Sequence, residues 1–163
     1  MQARARANEL TLMAFLCTVV MLFAAFTAAY LIRRSGADWQ RLSMPSILWV
    51  TTAVLLASSV TIELARRSGS RRWLAATLVL GAVFLAGQLL AWRALATAGV
   101  FLPTHPHSSF FYMLTAVHAV HLIGGIVALA LVAARGGRAG LCATYWHFVD
   151  GVWLYVFGML SVL

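Results

Sequence analysis

Residues 143–156 read ATYWHFVDGVWLYV, a stretch apolar enough for the interior of a membrane that nevertheless carries His147 and Asp150. The rest of the chain decides how that stretch is to be taken. Of 163 residues, 63% are hydrophobic and only 10% are charged, and the mean hydropathy is +0.90, well beyond the range of a water-soluble domain. A window of about 20 residues, enough to cross ~30 Å of hydrocarbon at ~1.5 Å per residue, fits five times, at roughly 10–33, 45–66, 72–98, 108–134 and 143–162. The expected fold is an all-α integral membrane protein, one domain over 1–163, built as a bundle of five transmembrane helices.

The first window competes with a signal peptide, since Arg4 and Arg6 precede it and small residues close it near Ala28-Ala29. Its apolar run exceeds the ~7–15 residues of an h-region, and Arg33-Arg34 follow it as a stop, so the anchor reading is favoured. All twelve basic residues are arginine, and the formal net charge is +8. In a soluble protein that balance would suggest nucleic acid; here the charge falls in the connections, where it sets orientation instead. With the N-terminus inside, Arg4, Arg6, Arg66, Arg67, Arg71, Arg72, Arg135 and Arg138 lie on the inner side, against Arg33, Arg34 and Arg41 outside and Arg93 near an outer helix end. This excess predicts N-in, C-out. Cys17 and Cys142 fall at different depths, too far apart for a ready disulfide and too few for a thiolate metal site.

Boundary signals are consistent with helices. Pro45 suits the first turn of the second helix, while Pro103 and Pro106 stiffen the connection before the fourth. Trp39, Trp49, Trp73, Trp92 and Trp146 all fall near expected helix ends and read as interfacial anchors. Glu63 and Arg67 have the spacing of a helical ion pair, which makes Glu63 a snorkelling surface residue.

The polar residues within the spans carry the functional question. His118 and His121 stand three apart on the fourth helix, with Gly125 and Ala128 continuing a stripe that would pack closely on a neighbour. His147 and Asp150 repeat the spacing on the fifth. An Asp facing lipid near mid-membrane costs roughly 2.5–3.5 kcal/mol on insertion scales, so Asp150 is expected to face the bundle, with His147, His118 or His121 as partner. A metal or haem site is one reading of these donors, but no Glu-x-x-His pattern and no further histidine at ligand spacing supports it. A proton pathway is another, although beyond Asp150 the fifth helix offers only Tyr155 and Ser161. A hydrogen-bonded packing or lipid-contacting cluster is favoured over both.

Taken together these residues resemble a known family. The run Tyr145-Trp146-His147-Phe148-Val149-Asp150, then Val152-Trp153-Leu154, preceded by Phe111 to His121 and Gly124-Gly125, is similar to the last two helices of subunit III of the haem-copper terminal oxidases. Ser58-Ser59-Val60-Thr61, Leu80-Gly81 with Phe84 and Gln88, and Phe15-Leu16 through Phe23 to Ala28-Ala29-Tyr30 resemble earlier helices of that family. The resemblance covers essentially the whole chain, in a short five-helix form that lacks the two helices beyond a lipid-filled cleft.

What the resemblance implies is a non-redox accessory subunit of a bacterial plasma-membrane oxidase. Such a subunit stabilises catalytic subunit I, which carries the haem and copper, contacts other oxidase subunits, and holds structural phospholipid; it supports proton uptake in a proton-translocating complex. The chain itself would bind neither cofactor nor metal. His118, His121, Trp146, His147 and Asp150 would form the buried polar cluster or the lipid and subunit contact, with Gln88 and Arg93 secondary. Two departures matter: Val19 and Ala91 stand where the family usually has glutamates. They point toward a divergent branch such as an accessory subunit of nitric oxide reductase. A free-standing small transporter or metal carrier is the remaining alternative.

Overall fold

The computed structural model describes residues 2–40, 42, 44–135 and 139–162, with side chains from Arg6 onward. Arg41, Arg138 and the side chain of Arg4, which enter the charge argument above, lie outside the described residues. Five helices account for the fold: α1 (Gln2–Arg34), α2 (Ile47–Ser68), α3 (Arg71–Thr97), α4 (Pro106–Arg135) and α5 (Gly140–Val162). Four of them, from Arg6–Arg34, Ile47–Ser68, Arg71–Thr97 and Pro106–Arg135, are long and apolar enough to cross a membrane. At 23 residues α5 has the length as well, about 34 Å at ~1.5 Å per residue; its histidine, aspartate and aromatic hydroxyls lower its hydropathy.

Helix ends depart from the apolar windows for local reasons. α1 begins eight residues earlier than its apolar run, because alanine, arginine and glutamine are good helix formers and nothing before Leu10 breaks the turn. Pro45 lies before α2 rather than in it: Ser46 is the N-cap residue, and Pro45 only accepts the Leu48 N–H at 3.1 Å. Pro106 opens α4 itself, where the missing N–H has no intrahelical partner to lose. α2 stops at Gly69, whose φ of 64° is left-handed and whose N–H returns to Ala65 O at 2.9 Å.

α2, α3, α4 and α5 close a ring, each touching the next and α5 touching α2; α1 lies outside it, against α4 and α5. Seven-residue spacings recur through the core, as in Leu48/Leu55/Ile62, Phe84/Ala91, Leu122/Leu129 and Trp146/Trp153/Leu160. That repeat keeps one stripe of each helix toward the others when helices pack at shallow angles. Between apolar helices in lipid, close packing rather than water exclusion drives association, and small residues set the approach. Gly87 of α3 meets the Thr51 side chain of α2, Gly81 meets the Trp146 indole, and Gly125 meets the Tyr145 ring. The expected role of Gly125 in admitting a neighbouring helix is thus seen, with α5 as the neighbour.

Candidate functional site

The seam between α2 and α5 holds Thr52, Ser58 and Asp150 among the buried polar side chains. Trp146, Asp150 and Trp153 follow one another at intervals of four and three, so all three point the same way along α5. Both indoles are 1% exposed. Trp146 Nε1 donates to Ser58 Oγ at 2.9 Å and Trp153 Nε1 to Thr52 Oγ1 at 3.0 Å. Ser58 and Thr52 in turn donate to Leu55 O and Leu48 O of their own helix, so each indole ends a satisfied chain. Thr61 and Thr77 join α2 to α3 at 2.8 Å in the same manner. The anchor reading of Trp146 is therefore overturned: its N–H is taken up by Ser58 inside the bundle, and its ring is walled in by Gly81 and Gly125. Trp92 also turns inward, donating to Thr115 Oγ1 at 3.1 Å.

Asp150 lies between the two indoles and is 3% exposed. The Ser59 hydroxyl of α2 is its polar neighbour, yet neither carboxyl oxygen completes a hydrogen bond. His118, 1% exposed, is enclosed by the Phe84 and Trp153 rings at centroid distances of 5.7 and 4.9 Å, and neither ring nitrogen is bonded. Gln88, one turn beyond Phe84, has its whole amide unbonded. A buried polar group left so costs about 1–3 kcal/mol; among the described residues these three, on α3, α4 and α5, carry that cost, as does Trp39 Nε1 in the connection before α2.

The single cluster expected from His118, His121, His147 and Asp150 does not form. His121 lies about 60° around α4 from His118. That rotation turns it to α1, where it stands 6.3 Å from Phe15 and 6.0 Å from Phe23 between ring centroids, while its Nδ1 bonds Val117 O of its own helix at 2.7 Å. His147 is rotated the same amount from Asp150 and reaches the edge of the seam. There its Nδ1 meets Ser59 Oγ at 2.6 Å and its Nε2 lies 3.8 Å from Glu63 Oε2. Glu63 pairs with Arg67 at 2.6 Å, as its spacing predicts, and also with Arg66 at 2.6 Å. Arg93 is exposed near the end of α3. Among the described residues no three His, Cys, Asp or Glu side chains converge as metal ligands.

A second buried cluster escaped the sequence reading. At the opposite end of the bundle His107 is 2% exposed; its ring stacks on Trp39 at 5.0 Å and its Nδ1 accepts the Leu42 N–H at 2.9 Å. Tyr30 OH lies 3.5 Å from its Nε2. The signal was the histidine one residue past Pro106, inside the first turn of α4 and so aimed at whatever the preceding connection laid over it. Nearby, Arg33 binds both Asp38 oxygens, and those hydrogen bonds hold the Asp38 carboxyl below its usual range.

An all-helical bundle with lipid-compatible outer faces and a polar seam knitted by indole and hydroxyl groups defines a multi-pass membrane protein whose polar chemistry is internal. No protein-family model matches the sequence. Cytochrome c oxidase subunit 3 of Corynebacterium diphtheriae is 33% identical, the alignment covering 88% of this chain and 82% of that protein. The probable cytochrome c oxidase subunit 3 of Mycobacterium bovis is 31% identical over 90% and 83%, and the subunit 3 of Thermostichus vulcanus 31% identical over 94% and 86%. The chain belongs to the cytochrome c oxidase subunit 3 family.

Proposed function

We propose that the chain is a non-redox accessory subunit of a haem-copper terminal oxidase in a bacterial plasma membrane. In this reading all five helices span, with the N-terminus inside. The work of the chain is to bind and stabilise the catalytic subunit that carries haem and copper, contact the other oxidase subunits, and hold phospholipid at their interface. The observation that carries it is the naming of relatives at 31–33% identity as cytochrome c oxidase subunit 3; this favours an oxidase over a nitric oxide reductase as the partner complex. The geometry supports a packing role. α1 leans on α4 and α5 alone, leaving Leu10, Met13, Met21 and Ile32 as exposed apolar surface for lipid or another subunit. Val19 of α1 and Ala91 of α3 are 3% and 0% exposed and serve the core, so neither position offers a carboxylate to proton uptake. His118, His121 and His147 turn to three different neighbours, which suits a chain that leaves metal and haem to its partner.

The test is a reduced-minus-oxidised optical spectrum of whatever co-purifies with a tagged copy in mild detergent. Haem bands in stoichiometric amount are expected, with positions belonging to an oxidase. A colourless preparation from cells making the enzyme overturns the reading.

A further inference from the structure

We infer that His107 is a pH-sensitive fastener: its neutral ring pins the α1–α2 connection to the start of α4, and a proton taken up by the ring releases the connection at Leu42. Three observations meet at this ring. The Leu42 N–H donates to Nδ1 at 2.9 Å, so Nδ1 is bare and the proton of the neutral ring sits on Nε2, 3.5 Å from the Tyr30 hydroxyl oxygen of α1. The Trp39 indole, from the same connection as Leu42, lies flat on the ring at 5.0 Å and 17°. His107 is 2% exposed and Tyr30 0%, so the ring meets water only when the connection lifts from it. That water is close by, because Arg33, Asp38 and His105 line an open cleft of about 750 Å³ beside the connection.

A charged imidazolium carries N–H on both nitrogens. Its Nδ1–H meets the Leu42 N–H donor against donor, and that bond is lost. The stack on Trp39 survives, because a cation over an indole face is attracted to it. The fastened and charged states therefore exclude one another at Leu42, while Trp39 keeps its hold on the ring. By linkage the open form binds one proton more than the closed form once the pH falls below the ordinary histidine range, about 6.5, and each further unit favours opening by up to about tenfold. The fastened form is thus fully stable above that range and loses ground below it. The groups around the ring do not share this window. Phe110, which packs on Tyr30 at 5.4 Å, carries no charge, and a phenol is neutral throughout. Asp38 is bound by Arg33, whose hydrogen bonds hold its carboxyl below the usual range, so its release in acid falls at lower pH. Arg41, beside Leu42, lies outside the described residues and keeps its charge throughout. His105, two residues before the ring, is the other histidine at this end and is tested separately.

The inference concerns this chain alone and stands whatever complex it joins. The test is hydrogen exchange at single amides of the full chain in lipid nanodiscs, from about pH 7.5 to about 5, across the ordinary histidine range. Each rate is compared with that of an unprotected amide at the same pH. Protection of the Leu42 amide is expected to fall about tenfold per unit below about pH 6.5. The Gly36 N–H, bonded to Arg33 O in the same connection, is expected to keep its own. His107→Asn sets an amide oxygen near the place of Nδ1 and does not titrate, so Leu42 protection is expected to stop varying with pH. His105→Asn and Asp38→Asn are expected to leave the fall unchanged, and with the native chain they decide the matter if His107→Asn does not fold. Leu42 protection that ignores pH in the native chain, a fall that persists in His107→Asn, or a fall that vanishes in His105→Asn or Asp38→Asn overturns the proposal.

Discussion

Replacing Gly87 with alanine tests whether α2 and α3 are held by close approach rather than by apolarity. A Cβ built at Gly87 overlaps the Thr51 methyl, a β-branched side chain whose Oγ1 is tied to Leu48 O at 3.1 Å and which has little freedom to turn away. A Cβ at Gly151 of α5 meets nothing within 4 Å. Both substitutions gain the same ~0.5–1 kcal/mol of helix propensity. The difference between them is then the overlap alone, about 1–3 kcal/mol for an extra methyl forced into a packed interface. Reversible unfolding of the full chain in bicelles, titrated with a denaturing detergent, measures that difference directly. Thr51→Ser removes the clashing methyl and keeps the hydroxyl bond, so the Gly87→Ala/Thr51→Ser pair is expected to recover most of the loss. If Gly87→Ala unfolds at the same point as Gly151→Ala, or if Thr51→Ser restores nothing, the packing argument is wrong.

Trp146→Phe deletes one hydrogen bond but leaves Ser58 donating to Leu55 O, so the same titration should record a loss of about 1 kcal/mol; Trp146→Ala, which empties the space against Gly81 and Gly125, should cost about 3–5. His107→Ala removes the acceptor of the Leu42 N–H, and hydrogen exchange at that amide should accelerate while amides of the α2–α3 interface keep their protection. In the assembled complex, Asp150→Asn should reduce retention of the chain after mild solubilisation more than Glu63→Gln does, because one lies inside the seam and the other at its mouth; equal retention would count against a structural role for the seam.

Five helices were legible because hydropathy windows respond to composition, which is a property of each segment by itself. Their ends were less so: Pro45 reads as a first-turn residue in sequence, and only the Leu48 N–H bond to Pro45 O shows the chain entering α2 one step later. The site divides in the same way. That Asp150 turns inward followed from the cost of turning outward. That His118 and His121 part company did not follow, since a 60° separation is compatible with a shared partner or with two, and the choice rests on α1 lying over the His121 edge of α4. Trp146 misled because an indole near a helix end serves equally as an anchor or as a packed donor. Trp153 could have corrected it: with Asp150 between them, the two indoles mark a single face at four- and three-residue steps.

That face also explains why the segment least like a membrane span by hydropathy lies in the closed ring. The groups that lower its hydropathy are chiefly His147, Asp150 and the indole and phenol groups, and they are turned to other helices: His147 to Ser59 and the indoles to Ser58 and Thr52 of α2, the phenols to α4 and α1. Tyr145 OH donates to His121 O at 2.8 Å and Tyr155 OH to Thr27 Oγ1 at 2.9 Å, so even the phenols are spent on α4 and α1. A hydropathy average charges each residue for its transfer to lipid, whereas the cost that matters is paid only by atoms that face lipid without a partner. For α5 those costs are moved into the contacts with α1, α2 and α4. The same bonds then fix the rotation of α5, because turning it by one residue would break the Trp146–Ser58 and Trp153–Thr52 bonds together and carry Asp150 out of the seam.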